Sequence, residues 1–235
     1  MSNRIAVLAS GRGSNLRALH AHLTRGAAHD AAGTIALVAS DRRDAGVLAL
    51  ARERGIEAAV LERGATHAAA LEALLRDRAI DWVVLAGYLR LVPASVVRAW
   101  RGHVLNVHPA LLPAFGGQGM YGDRVHRAVL ESGARVTGVT VHFVDEAYDR
   151  GATIAQWPVP VRPEDTVESL AARVLRVEHA LYPRAVEAVV RGRVRLDAAG
   201  RAVAAPAPDG ARAAFTLGEP EDVELASNIG AALGG

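Results

Sequence analysis

Ile5-Ala6-Val7-Leu8-Ala9-Ser10-Gly11-Arg12-Gly13-Ser14-Asn15 begins as an unbroken apolar run and stops at a glycine-punctuated turn. A run that is apolar on both faces suits a strand covered on both sides, as in a parallel sheet. From Asn15 to Leu23 the apolar spacing becomes helical. Strand, glycine turn and helix in that order predict the first half of a βαβ unit.

The same alternation recurs downstream. Strands are predicted at Thr34–Ala39, Ala58–Leu61, Trp82–Ala86 and Val104–Val107, with helices at Ala45–Arg54, Ala65–Arg78 and Pro93–Trp100. After Pro109 the pattern changes. A Gly/Pro-rich loop runs to Gly122, a helix is expected over Arg124–Ser132, and Val136–Val144 and Thr153–Val161 read as an antiparallel pair. A helix over Val167–Val190 follows the start signal Pro163-Glu164-Asp165-Thr166, and Pro183 is expected to kink or break it. The expected fold class is therefore α/β, a doubly wound, mostly parallel (Rossmann-like) sheet with an antiparallel C-terminal part. Residues 1–192 are expected to form this domain. Residues 193–235, rich in Ala, Pro and Gly, read as a peripheral extension with one hairpin around Asp197–Gly200.

Composition narrows the classes of function. The net charge is +2, and all 27 basic residues are arginine, with no stripe of the kind that tracks a phosphate backbone. Nucleic acid is therefore not expected as a partner. There are no cysteines, which excludes disulfides, thiolate metal sites and cysteine nucleophiles. No apolar run approaches the roughly 20 residues that span a bilayer, and no secretory leader is apparent at Met1-Ser2-Asn3-Arg4. The expectation is a cytoplasmic, membrane-free protein acting on small molecules as a monomer or homodimer.

In open α/β sheets, ligands sit at the carboxyl ends of strands, and a helix N-terminus offers unpaired N–H groups to an anion. Gly11 and Gly13 would let backbone approach such an anion, while Ser14 and Asn15 could cap the helix. Position 16 is Leu, so the dinucleotide fingerprint fails, and the Walker A signature lacks its Gly-Lys. The loop fits a monophosphate better than a dinucleotide. A tight turn with a helix cap would read the same way.

Val104-Leu105-Asn106-Val107-His108-Pro109 is the second informative stretch. Strand alternation points Asn106 and His108 to one face, near the strand's carboxyl end. An amide N–H can hold an oxyanion while an imidazole moves a proton, which suits acyl transfer. No Ser or Cys nucleophile stands beside them, so direct attack by an acceptor amine is expected. A carboxylate to orient His108 could come from Asp145, Glu146 or Asp149, and spacing does not choose among them. A solvated acidic turn would look alike.

Five ordered segments resemble the glycinamide ribonucleotide (GAR) formyltransferases. They are Ile5–Leu16, Ala86–Leu91, Asn106–Phe115, Gly138–Val144 through Asp149-Arg150-Gly151, and Val177–Pro183. The resemblance implies that Asp149 is the carboxylate near His108, with Asn106 as the third catalytic member. It implies that Gly13, Ser14 and Asn15 hold a ribonucleotide phosphate and that Glu178 meets the nucleotide. It places Leu89, Arg90, Leu91 and Val92 in a folate pocket, together with Asn106 and the loop Asp145, Glu146, Ala147, Tyr148 and Asp149. Arg63 matches a family arginine near the folate. The implied co-substrate is 10-formyltetrahydrofolate, with no metal, and His108 is expected to be cationic near neutral pH beside its acid. His142 is expected to pack the site. Six of the remaining histidines, His20, His22, His29, His67, His103 and His126, read as surface or helix positions without metal-ligand spacing, and the tryptophans as core or boundary.

Two other readings compete. Formyltetrahydrofolate deformylases share the catalytic segment but use water as acceptor, and normally carry an extra N-terminal domain. A non-catalytic nucleotide- or folate-binding protein would be expected to lack Asn106, His108 or Asp149, and all three are present.

Overall fold

The computed structural model describes residues 3–24, 32–62 and 64–204. Arg63, His29 and the tail 205–235 lie outside them. The chain divides into two compact units. One holds the chain up to Asn106 together with Val144–Glu146, and the other holds Val107–Phe143 and the residues from Ala147 onward.

The first unit alternates β1 (Asn3–Leu8), α1 (Ser14–Leu23), β2 (Gly33–Ser40), α2 (Gly46–Glu53), β3 (Glu57–Val60), α3 (His67–Asp77), β4 (Trp82–Leu85) and α4 (Ala94–Ala99). It ends in β5 (Val104–His108), whose last two residues belong to the second unit. The strand order is β3-β2-β1-β4-β5, and every pair is parallel. The chain winds from β1 towards β3, then returns to β4 on the other side of β1. That reversal opens a crevice outside the carboxyl ends of β1 and β4, the place where such sheets bind ligands. Leu8, Leu37, Val83 and Leu85 are buried on the strands, packed with Leu71 and Leu75 from α3, Val96 from α4 and Trp100 just after it.

In the second unit the order is β5-β6-β7, where β6 is Val136–Phe143 and β7 is Thr153–Pro160. β6 and β7 are antiparallel. Helices α5 (Asp123–Glu131) and α6 (Val167–Val190) belong to the same unit. A reciprocal capping box starts α6: Thr166 Oγ1 accepts from Ser169 N–H, and Ser169 Oγ accepts from Thr166 N–H. The buried Arg173 guanidinium binds Asp165 through both carboxylate oxygens (2.6 and 2.7 Å) and also donates to the Pro160 carbonyl (2.9 Å), tying the end of β7 to the helix.

Pro183 does not break α6, which runs unbroken through it. A proline in a helix interior costs about 3 kcal/mol. Here Leu181, Tyr182, Pro183, Ala185 and Val186 are all buried, so packing of that face outweighs the lost hydrogen bond. The hairpin after Gly192 is present as β8 (Val194–Leu196) and β9 (Ala202–Ala204). Its turn is closed by Gly200 N–H on the Asp197 carbonyl (3.0 Å) and by Arg201 N–H on the Asp197 carboxylate (2.8 Å). Trp82 and Trp100 are core residues, and Trp157 is half-buried.

Candidate active site

The predicted residues fall into two groups, one in each unit. In the first, Gly13 is the N-cap of α1 and sits in the left-handed region (φ 88°). A Cβ there would lie 3.0 Å from Val47 Cγ2 and 3.1 Å from Leu50 Cδ2, so both backbone shape and α2 packing call for glycine. The expectation that Ser14 or Asn15 caps the helix is corrected: the cap residue is Gly13, and no side-chain cap bond forms. Ser14 and Asn15 are instead the first two helical residues. The first helical hydrogen bond reaching back to Gly13 comes from Arg17 N–H, as expected for a helix start that leaves its leading N–H groups unpaired within the helix.

Leu89, Arg90, Leu91 and Val92 follow β4 as irregular chain. Leu89 (43%) and Leu91 (42%) are among the large apolar residues left exposed, whereas Val92 is buried. Tyr88 is buried beside them, its hydroxyl 3.4 Å from His67 Nε2, and burial together with the Asp41 carboxylate pushes its pKa up to about 12. Glu146 pairs with Arg98 (3.1 Å) at the surface. Asp145 and Asn106 also belong to this unit, Asn106 near the end of β5.

The second unit brings His108, Asp149 and His142 together. His108 Nδ1 is 3.5 Å from Asp149 Oδ2, and His142 Nε2 is 3.7 Å from Asp149 Oδ1, with all three side chains nearly inaccessible to solvent. Of the three acids that spacing left open, Asp149 is therefore the one paired with His108. Asp149 stands at φ 54° in the turn that also contains Tyr148, a conformation that Asp tolerates better than most residues.

Main-chain groups of the loop after Pro109 brace the pair. Gly117 N–H donates to Asp149 Oδ2 (2.9 Å), and His108 Nε2 donates to the Phe115 carbonyl (2.9 Å). A Cβ on Gly116 would collide with Leu112 Cδ2 and come within 3.3 Å of Asp149 Cβ. The start of the loop is anchored by buried Thr140, which donates to the Ala110 carbonyl (2.7 Å) and accepts from Leu112 N–H (3.0 Å). Gln156 Nε2 adds bonds to Leu112 O (2.9 Å) and Thr140 Oγ1 (3.0 Å). Sequence reasoning did not single out Thr140, Gln156, Phe115 or Gly117. Thr140 lies inside the motif leading to Asp149, and that position was the available signal.

The electrostatics correct one expectation. Burial holds the His108 pKa below its ordinary value of 6.5, outweighing the Asp149 carboxylate and the Phe115 carbonyl, both of which favour the cation. In the free protein burial thus favours the neutral imidazole over the cation. Burial pushes the Asp149 carboxyl up, but His142, His108 and the Gly117 N–H together outweigh it and hold the group below its usual range. His126 on α5 is buried rather than at the surface, its Nδ1 without a hydrogen-bond partner, and burial lowers its pKa despite Asp123. His67 is likewise buried, with Nδ1 on the Glu62 carbonyl (2.8 Å). Glu178 and Tyr182 are buried on α6. Among the described residues, no group of three or more His, Cys, Asp or Glu side chains is arranged to hold a metal ion. Among the same residues, no helix is long and apolar enough to cross a membrane.

His108, His126 and His179 all have folded pKa values lowered from 6.5. Below about pH 6.5 the unfolded chain therefore binds more protons than the folded one, and stability falls as pH falls through that window. The midpoint of thermal unfolding is expected to drop clearly between pH 7 and pH 5 and to change little between pH 7 and pH 8. A scan across that range by circular dichroism checks it.

Comparisons with known proteins identify the family. The formyl transferase family profile matches residues 3–186. A chloroplastic phosphoribosylglycinamide formyltransferase from Vigna unguiculata is 43% identical over 81% of the chain, and the match spans 62% of that relative's length. The crystal structure of glycinamide ribonucleotide transformylase 1 from Symbiobacterium toebii superposes with a TM-score of 0.78 at 39% identity, covering 86% of this chain and 94% of that one. A formyltetrahydrofolate deformylase from Pseudomonas syringae shares the fold (TM-score 0.77) at 24% identity, covering 87% of this chain and 66% of that one. By profile, identity and fold together, the chain belongs to the formyl transferase family, in its phosphoribosylglycinamide formyltransferase branch.

Proposed function

We propose that this protein transfers the formyl group of 10-formyltetrahydrofolate to the amine of glycinamide ribonucleotide, a step of de novo purine synthesis. The observation that carries the reading is the buried His108–Asp149 pair, braced by backbone on both members. The acceptor amine attacks the formyl carbon directly. Asn106 donates to the oxyanion that develops there, an interaction strongest in the transition state. The bond from that carbon to folate N10 breaks, the amine gives up a proton, and N10 takes one. His108 moves that proton. Burial disfavours the imidazolium beforehand and Nε2 keeps its proton on the Phe115 carbonyl, so Nδ1 accepts from the attacking amine; the nearby Asp149 carboxylate then favours the imidazolium, which returns that proton to N10.

The remaining assignments follow the same reading. Gly13, Ser14 and Asn15 cradle the nucleotide phosphate with the leading N–H groups of α1, and Glu178 binds the nucleotide elsewhere. Leu89 and Leu91 supply exposed apolar surface for a flat pteridine ring, with the backbone of Arg90 and Val92 and the segment Asp145, Glu146, Ala147 and Tyr148 completing the folate site. Arg63 remains an expectation outside the described residues. A cytoplasmic setting is part of the proposal and is checked by fractionating the native host.

The test incubates the purified protein with 10-formyltetrahydrofolate, with and without glycinamide ribonucleotide, and follows tetrahydrofolate release. Release that depends on the nucleotide is expected. Release without it would make the protein a hydrolase, and no release under either condition would make it a binding protein.

A further inference from the structure

Ser10 stands between the two halves of the first unit's crevice. It is the residue before Gly11, at the exit of β1, and is buried (3% exposed). Its N–H donates to the Gly87 carbonyl (3.0 Å), just past β4. Its hydroxyl donates to Asp41 Oδ1 (2.6 Å), just past β2, and accepts from the Leu89 N–H (3.1 Å). Asp41 is itself buried. A hydroxyl has a single proton, so commitment of that proton to Asp41 turns the oxygen's free lone pairs elsewhere. One of them meets Leu89 N–H. One side chain thus stitches the exits of β1, β2 and β4 together, beyond the point where the parallel ladder ends.

The stitched segments are those with different ligands in the proposed reaction. Gly11 to Asn15 continues directly from Ser10, and Val47 N–H on the Gly11 carbonyl (3.1 Å) fixes that turn against α2. Leu89 starts the segment Leu89–Leu91, in which both leucines are exposed, and the Ser10 hydroxyl holds its first N–H. Neither contact is needed to complete a helix or a strand. We propose that Ser10, oriented by Asp41, is a positioning residue that couples the phosphate loop to the folate edge, so that each ligand favours binding of the other. The inference rests on the assignment of those two segments to nucleotide and folate. Ordering the phosphate loop fixes the Ser10 oxygen, and that oxygen fixes the Leu89 amide. Thermodynamic linkage makes the effect reciprocal, with the same factor seen from either ligand.

Tetrahydrofolate and glycinamide ribonucleotide together lack a formyl group to transfer, so their binding can be measured without reaction. Calorimetric titration of tetrahydrofolate into the wild-type protein is expected to give a dissociation constant at least about fivefold lower when the nucleotide is saturating. Ser10→Ala removes the hydroxyl and is expected to bring that ratio to about one, with the affinity for nucleotide alone changed less than about threefold. Asp41→Asn keeps an acceptor oxygen for the hydroxyl and is expected to retain most of the coupling. Far-ultraviolet circular dichroism and thermal melting establish that the variants are folded. A ratio near one in the wild type, an undiminished ratio in Ser10→Ala, or complete loss of coupling in Asp41→Asn overturns the inference. Loss of nucleotide-dependent formyl transfer is read separately in the release assay: wild-type transfer with no coupling sinks this inference alone, and no wild-type transfer sinks the functional reading beneath it.

Discussion

His108→Ala is expected to reduce turnover about a thousandfold, within the usual range for removing a general acid–base group. The imidazole is buried, faces Asp149 through Nδ1, and is held by a single main-chain acceptor through Nε2. His142 also approaches Asp149 and bonds a main-chain carbonyl, but it lies farther from the carboxylate (3.7 Å against 3.5 Å). The substitution leaves the Phe115 carbonyl without its donor, which costs about 1–3 kcal/mol of stability. That loss shows in a melting curve and is separable from the kinetic one. Nucleotide affinity is expected to stay within about threefold, because phosphate binding is assigned to the α1 terminus. The decisive measurement is kcat against the dissociation constant for glycinamide ribonucleotide in the same preparation. A kcat within tenfold of wild type removes His108 from the chemistry.

Asp149→Asn is the second large effect, with an expected loss of about a hundredfold or more in kcat. Asparagine tolerates the left-handed backbone at this position, and its carbonyl oxygen can still accept from Gly117 N–H, so the turn should survive. What disappears is the charge. Asp149 is the largest influence favouring protonated His108, so the His108 pKa, already lowered, must fall further in the variant. Proton NMR titration of the imidazole checks that direction independently of turnover. There is also a stability signature. The Asp149 pKa is depressed on folding, so its contribution is complete above the unfolded value of about 3.9 and is lost as pH falls through the folded value. Asp149→Asn should therefore flatten the acid limb of the stability curve below about pH 4. A variant that turns over normally would reassign the acid role.

Much of the fold was legible because its strands are apolar on both faces. Ile5–Leu8, Leu37–Ala39 and Trp82–Leu85 are continuous buried runs, and the helix bounds at Val167 and Val190 follow from a capping signal and a glycine stop. The site was legible in part. Asn106 and His108 lie on one strand, so alternation related them. Asp149 reaches His108 through a turn with positive φ and a loop brace, neither of which has a side-chain signature in the sequence. Burial, invisible in spacing, disfavours the cation expected on His108 and outweighs a neighbouring acid. The caps expected from Ser14 and Asn15 were wrong because Gly13 occupies that position in a conformation only glycine adopts freely. The break allowed for at Pro183 is absent for the converse reason, since a buried helix face holds through a local penalty.

The braces on His108 and Asp149 come from a carbonyl and an amide of the main chain, at Phe115 and Gly117. Most side-chain replacements along 113–117 leave both atoms in place, so an alanine scan of that loop should register little apart from Gly116, where a Cβ collides with Leu112, and Gly117, whose φ of 101° strains any L side chain. Removing or inserting one residue between Thr140's anchor on Leu112 and Gly117 would instead carry both atoms out of reach at once. This stretch is thus a spacer of fixed count, tolerant in what it is spelled with and intolerant in how long it is.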